Sequence, residues 1–247
     1  MSSFPRGLVL FAFALTLAVS GASTPRTALG QSLAIGNAGP AHLPYASNAD
    51  GVLYKVNGQF LRPAAAAALV QMAEEARRDG VLLILRSGYR SRDEQSRLFF
   101  GGARERGISL AERARVSAPP GFSEHHTGFA VDLDDARDPH YLRQSFDRTK
   151  AGRWLAENAS RFCYELSFPR GNPQGVTYEP WHWRFVGSKE ARRVFAPARE
   201  MFAPDVLDSG TAPDCGGNTD TAAADTETTS GATVFAASEN PSEVAVD

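Results

Sequence analysis

Long apolar runs are nearly absent from this chain. Residues 8–19 form the one extended stretch, and no second run of that kind follows in the 247 residues. A transmembrane helix needs about 20 apolar residues, so this stretch is short for a span. Arg6 precedes it, and the small residues Ser20 and Ala22 follow at signal-peptidase spacing. Residues 1–22 therefore read as an export signal, with a retained membrane anchor as the alternative. No cysteine follows the stretch, which argues against a lipoprotein signal. With the leader removed, the mature protein is expected to lack a stable membrane span and to be exported, either to a periplasm or beyond the wall.

Cysteine is almost absent as well: only Cys163 and Cys215 occur. In an oxidising compartment they can pair, closing a loop of about 50 residues worth about 4 kcal/mol in the chain-entropy model. Two unrelated thiols are the other reading. Basic residues are missing from 205–247, which hold nine acids. The body, residues 1–204, then carries all 26 Lys and Arg against 19 acids, so the formal net charge of −2 averages two unlike parts. The tail from 213 to 247 is rich in Ala, Thr, Ser and Gly and reads as disordered. Residues 23–45 read as a linker, and 46–212 as the folded domain. The composition, 43% apolar and 22% charged, excludes a wholly disordered or collagen-like chain. No nucleic-acid motif is present, and the basic residues are not interleaved with aromatics.

Turn and cap signals lay out the body. Asn57-Gly58 suits a type I′ hairpin turn within 51–61, since both positions accept positive φ. Pro63 opens an Ala-rich helix to Asp79, with Gly80 as its stop. A strand is expected over 81–85. Ser91 with Glu94, and Ser109 with Glu112, are capping boxes; the first opens a helix to about Phe100. Strands are expected over 129–133, 165–168 and 182–186, and a helix over 149–160. Ser188 caps a last helix, expected to be interrupted at Pro197. Strands and helices mix without a βαβ rhythm, which gives α+β.

Five histidines occur, and two sit among acids. His125 precedes Asp132 by seven positions, and Glu179 precedes His182 by three. Two imidazoles and a carboxylate can bind zinc with a fourth position left open. On one unbroken strand His125 and Asp132 would face opposite sides. Gly128 supplies the bend that lets them converge. Beyond it Ala130, Asp132 and Asp134 share one face, while Phe129, Val131 and Leu133 share the core face. Pro180 rules out a regular strand at Glu179, leaving that carboxylate in a loop beside the metal and outside its ligand set. Spacing alone leaves a structural reading of these residues equally open.

Three segments together carry a resemblance. Ser87-Gly88-Tyr89-Arg90-Ser91, then S-x-H-x-x-G-x-A-x-D over 123–132, then Glu179-Pro180-Trp181-His182-Trp183-Arg184-Phe185 resemble the VanY-type D-alanyl-D-alanine carboxypeptidases. That zinc peptidase group also holds VanX-type dipeptidases and shares its fold with the hedgehog signalling domain. The resemblance covers roughly residues 50–200. It implies a small, mainly antiparallel sheet with flanking helices around one zinc ion per chain. It implies His125, Asp132 and His182 as ligands and Glu179 as the base that passes a proton to the leaving amine. Arg90 would stabilise substrate charge. Gln95, Ser123, Tyr89 and Trp181 would line the substrate pocket. The implied partner is a peptidoglycan stem peptide losing its terminal D-alanine. An L,D-carboxypeptidase, a D,D-dipeptidase, an endopeptidase and a non-catalytic wall-binding zinc module are the alternatives. His126 is expected outside the ligand set, and Asp134 and Asp135 as a solvated turn or cap pair. Oligomeric state is not legible.

Overall fold

The computed structural model describes residues 33–34, 39–47, 51–202 and 235. The leader, Cys215 and all of the acidic tail except Phe235 lie outside the described residues. Two short antiparallel ladders come first. β1 (Leu33–Ala34) pairs with β2 (Ala41–His42), and β3 (Tyr54–Val56) pairs with β4 (Gln59–Leu61). Asn57 and Gly58 turn the second ladder at φ 44° and 83°, as the Asn-Gly signal requires. The stretch 39–45, read as the end of a linker, packs on the body: His42, Leu43 and Tyr45 are buried.

The central sheet has four strands in the order β5-β6-β8-β7, all antiparallel. β5 is Leu83–Ser87, β6 Ala130–Asp135, β7 Tyr164–Leu166 and β8 His182–Phe185. β6 lies inside this sheet, and all six of its residues are buried. Its alternation divides the molecule. Val131 and Leu133, with Phe129 just before the strand, join the hydrophobic core, and Asp132 takes the opposite face. Phe129 stacks on Phe185 of β8 with ring centroids 6.3 Å apart.

Helix α1 (Pro63–Arg78) covers the core face. Its buried side chains are Ala65, Ala66, Leu69, Met72, Ala73 and Ala76. The alanines let the helix lie close to the sheet, and the Tyr164 hydroxyl donates to the Ala65 carbonyl at 2.8 Å. Burying Leu69 and Met72 fully contributes about 1.5–3 kcal/mol each. α4 (Lys150–Asn158), capped by Thr149, and α5 (Lys189–Glu200), capped by Ser188, flank the sheet. α5 buries Ala191, Phe195 and Ala198 on one stripe and runs through Pro197 without a break. The expected interruption is absent: the helix keeps its course through Pro197 and forgoes the one hydrogen bond that residue 197 would give to the Arg193 carbonyl, while Phe195 and Ala198 on either side stay buried. α2 (Arg92–Arg106) extends past Phe100 to an αL cap at Gly107, and α3 (Leu110–Ala114) opens with the complete Ser109–Glu112 capping box.

Asp134 and Asp135 are buried, which corrects their reading as a solvated pair. Asp134 accepts two hydrogen bonds from Arg86 and the amides of Asp135, His140 and Tyr141. Asp135 accepts from the amides of Arg137 and Ala151. Enough donors converge on them to replace water. Cys163, in αL conformation after the 3-10 turn Ala159–Phe162, is disulfide-bonded. Phe235 is buried with the core. Among the described residues no helix is long and apolar enough to cross a membrane.

Candidate active site

Two neighbouring segments and one about 50 residues further on meet at one point. Glu124–Thr127 forms a 3-10 turn, and Gly128 ends it at φ 74° before β6 begins. That bend reorients the chain, so His125 and Asp132 converge. Asp132 is the cross-strand partner of His182 in the β6–β8 ladder. His125, Asp132 and His182 each offer one donor atom, and the three atoms lie within 4.8 Å of one another.

The outer nitrogen of each imidazole is engaged. His125 Nδ1 donates to the Gly88 carbonyl at 2.7 Å, leaving Nε2 to face Asp132 Oδ2 at 3.1 Å. Residue 88 must be glycine for this: a Cβ there would lie 2.5 Å from the Phe60 carbonyl oxygen. His182 Nε2 donates to Glu124 Oε2 at 3.0 Å, leaving Nδ1 to face Asp132 Oδ1 at 3.0 Å. With the outer nitrogens donating outward, both inward nitrogens are aimed to offer lone pairs to a metal once it displaces their protons. Zinc bonds of about 2.0–2.1 Å in a tetrahedron set their ligand atoms about 3.3 Å apart. The two contacts run to different Asp132 oxygens, and one donor atom from each residue lies within 4.8 Å of the others, so the side chains draw together modestly to close on zinc. Burial resists the charge on Asp132, but His125 and His182 outweigh it and hold that carboxyl well below the usual range.

Glu124 was not singled out in the sequence, and it anchors the site from below. Its Oε2 also accepts from Ser167 Oγ at 2.6 Å. Its Oε1 accepts from Arg184 Nη1 at 3.0 Å and from the Tyr45 hydroxyl at 3.3 Å. Burial alone would raise its pKa, yet Arg184 and His182 bring it down to about 2. A sequence signal existed: Arg184 is two residues from His182 on β8 and shares its face.

Glu179 stands beside the donor set. Its Oε2 is 4.0 Å from His182 Nδ1, and burial pushes its carboxyl up to about 8. Pro180 separates it from the strand, and its backbone amide donates to the Phe168 carbonyl. Arg90 reaches the site from the other side, with Nη2 at 3.6 Å from Asp132 Oδ2. Its guanidinium is also fixed by Gln95 Oε1 at 2.9 Å and Ser87 Oγ at 2.6 Å.

The remaining expected pocket residues separate. Ser123 and Trp181 line the cleft. Gln95 lies in the cleft wall but is only 1% exposed, and its amide nitrogen is committed to Ser117 Oγ and the Ala118 carbonyl. It acts on Arg90. Tyr89 is not part of the cleft lining, and its hydroxyl meets Ser47 Oγ at 3.1 Å. His126 is fully buried; its Nδ1 donates to the Arg90 carbonyl, and its Nε2 accepts from the Gly121 amide. It pins the Arg90 backbone and takes no place among the ligands. The cleft above the site has a volume of about 640 Å³.

Residues 58–188, more than half of the chain, match the family described as VanY, D-alanyl-D-alanine carboxypeptidase. The chain belongs to this family. It is 32% identical over 148 residues to a D-alanyl-D-alanine carboxypeptidase of Enterococcus faecalis, covering 56% of this chain and 53% of that protein. The chain thus spans about half the length of that curated relative. Among solved structures it resembles the LdcB LD-carboxypeptidase, with 32% identity and a TM-score of 0.51 over 60% of this chain and 71% of that one. It also resembles a mutant of the vancomycin-resistance D,D-pentapeptidase VanY in complex with Zn(II). There the identity is 28% and the TM-score 0.52, over 64% of this chain and 93% of that one. These matches agree with the four-stranded antiparallel sheet and the buried His-Asp-His set of the VanY family member described above.

Proposed function

We propose that this chain is a zinc-dependent D-alanyl-D-alanine carboxypeptidase that removes the terminal D-alanine from peptidoglycan stem peptides after export. The observation that carries the reading is Glu179: an acid buried at the mouth of a His-Asp-His donor set, within 4.0 Å of His182 yet outside the set. A non-catalytic zinc module has no use for a costly buried carboxyl in that position.

His125, Asp132 and His182 would hold one zinc ion. Bound there, zinc supplies Lewis acidity toward a carbonyl and lowers the pKa of water toward about 7. Glu179 takes the proton from the attacking water and hands it to the departing amine. Its raised pKa suits both halves of that task. Arg90 offers a planar, permanently charged fork to the developing oxyanion or to the terminal carboxylate. Gln95, Ser87 and His126 keep that fork in place. Trp181 and Phe168 give the cleft apolar walls that shield the reacting bond from bulk water.

Specificity is tested with two peptides. A stem pentapeptide ending in D-Ala-D-Ala should lose one alanine, seen by mass spectrometry, and the tetrapeptide product should persist. The likeness to an LD-carboxypeptidase supports a second reading, in which the tetrapeptide is cut instead. Release of alanine from neither peptide by zinc-loaded protein would end both readings.

The ligand assignment has its own check. The purified protein should carry one zinc per chain by elemental analysis. His182→Ala should lose it, because Nδ1 is one of the three donors that converge here among the described residues. Chelation should lower the Tm by several degrees, since the bound ion stabilises the fold by mass action. Stoichiometric zinc in His182→Ala would reject the assignment.

A further inference from the structure

The cleft continues well beyond the donor set, toward the ends of α2 and α3. Its wall there carries two more arginines, Arg106 and Arg113. Other arginines near the site meet acids: Arg86 meets Asp134, Arg90 meets Asp132, and Arg184 meets Glu124. Among the described residues no ion pair involves Arg106 or Arg113. Arg113 Nε is buried and has no hydrogen-bond partner at all.

The protein positions Arg113 with care. Its Nη2 donates to the Leu98 carbonyl on α2 at 3.2 Å. The guanidinium lies flat across Gly102, where even a Cβ would sit 3.0 Å from Cζ and Nη2. Glycine within a helix costs about 1 kcal/mol relative to alanine, and here it opens the berth for the guanidinium. α3 itself is clamped. His42 Nε2 meets the Ala114 carbonyl at 2.8 Å, and the Thr177 amide donates to the Arg115 carbonyl at 2.9 Å. Burial lowers the pKa of Arg113; the charges of Arg106 and Arg90 lower it further, and those of Glu105 and Glu179 offset part of the shift. Three guanidiniums, Arg90, Arg106 and Arg113, gather here with two acids, Glu105 and Glu179, nearby, and neither Arg106 nor Arg113 is in an ion pair among the described residues, which leaves room for an anion.

Length along α2 indicates where that anion lies. Gln95, which holds Arg90 at the reacting end, is seven residues before Gly102 and eleven before Arg106 on the same helix. At about 1.5 Å per residue these points are about 10 and 16 Å away along the axis. An extended peptide covers such a span with about three to five residues. Only the acyl side of a carboxypeptidase substrate is that long.

We propose that Arg106 and Arg113 form a second anion subsite, taking a side-chain or α-carboxylate of a peptide about three to five residues before its C-terminus. The enzyme then selects acidic peptides rather than any chain ending in D-alanine. This rests on the carboxypeptidase reading, and the test separates the two.

Two pentapeptides ending in D-Ala-D-Ala are compared, identical except that the second residue carries a carboxylate or the matching carboxamide. Their Kd values are measured by calorimetry on zinc-loaded Glu179→Gln protein, and kcat/KM on the parent. The carboxylate should bind about tenfold more tightly, as expected for one charge-assisted contact. Arg113→Gln or Arg106→Gln in the same background should bring that preference to within about twofold. Arg106 is exposed, so its substitution keeps the test valid if Arg113→Gln misfolds. Equal affinity of the parent background for both peptides overturns the subsite, as does a preference that survives both substitutions. Absence of alanine release with the preference intact overturns the carboxypeptidase reading alone.

Discussion

Zinc-loaded Glu179→Gln should bind a D-Ala-D-Ala peptide and fail to cut it, with kcat down by about a hundredfold or more. The substitution keeps size and hydrogen-bonding capacity and removes only basicity. The backbone around it is fixed independently of the carboxylate: the Glu179 amide donates to Phe168, and the His182 amide donates to the Glu179 carbonyl. The ligands should therefore stay in place, and zinc content should remain at the parent level. Nor should the fold suffer, because burial disfavours the ionised carboxylate here, as its pKa of about 8 records. Three readouts together identify a base: lost turnover, retained metal and retained peptide binding. Full turnover would remove Glu179 from the mechanism. Lost zinc would make it a ligand instead.

Glu124→Ala should be the most damaging single change to stability, by about 3–5 kcal/mol. It removes the acceptor of four donors and leaves the 2%-exposed Arg184 with Glu165 as its remaining acid. Urea unfolding measures the loss. A second variant separates charge burial from ligand orientation. Glu124→Leu combined with Arg184→Met replaces the buried pair by apolar volume, so stability should recover most of the loss. Zinc affinity should not recover, staying about 10–100-fold weak, because His182 Nε2 still lacks the acceptor that fixes its ring. Parent-level zinc affinity in the double variant would show that Glu124 serves the fold alone.

The sequence disclosed the ligands more readily than their supports. His125, Asp132 and His182 were legible through the three segments that together carry the family resemblance, whereas their spacing alone left a structural reading equally open. The Asn57-Gly58 turn, the Ser109–Glu112 box and the alternation of β6 were equally legible, since each depends on neighbours in the chain. Glu124 and the aspartates 134 and 135 were not. Whether an acid is solvated or buried depends on donors from distant segments: Arg184 lies 60 residues from Glu124, and Arg86 lies 48 from Asp134. Pro197 misled for a related reason. The burial of Phe195 and Ala198 against distant segments holds the helix through the lost hydrogen bond. Nothing in the sequence singles out Arg106 and Arg113, and only the folded cleft places both on one wall.

The central position of β6 has a temporal consequence. Asp132 gains its ligand partner only when β8 pairs beside it, and β8 begins 50 residues later in the chain. Loop closure of that length comes late relative to local helices and turns. A nascent or threading chain that has not yet delivered residue 182 holds no metal centre, however much of its N-terminal half has formed. Under the proposed function, hydrolytic capacity would then switch on with the last strand of the sheet, and a chain lacking that strand would be inert.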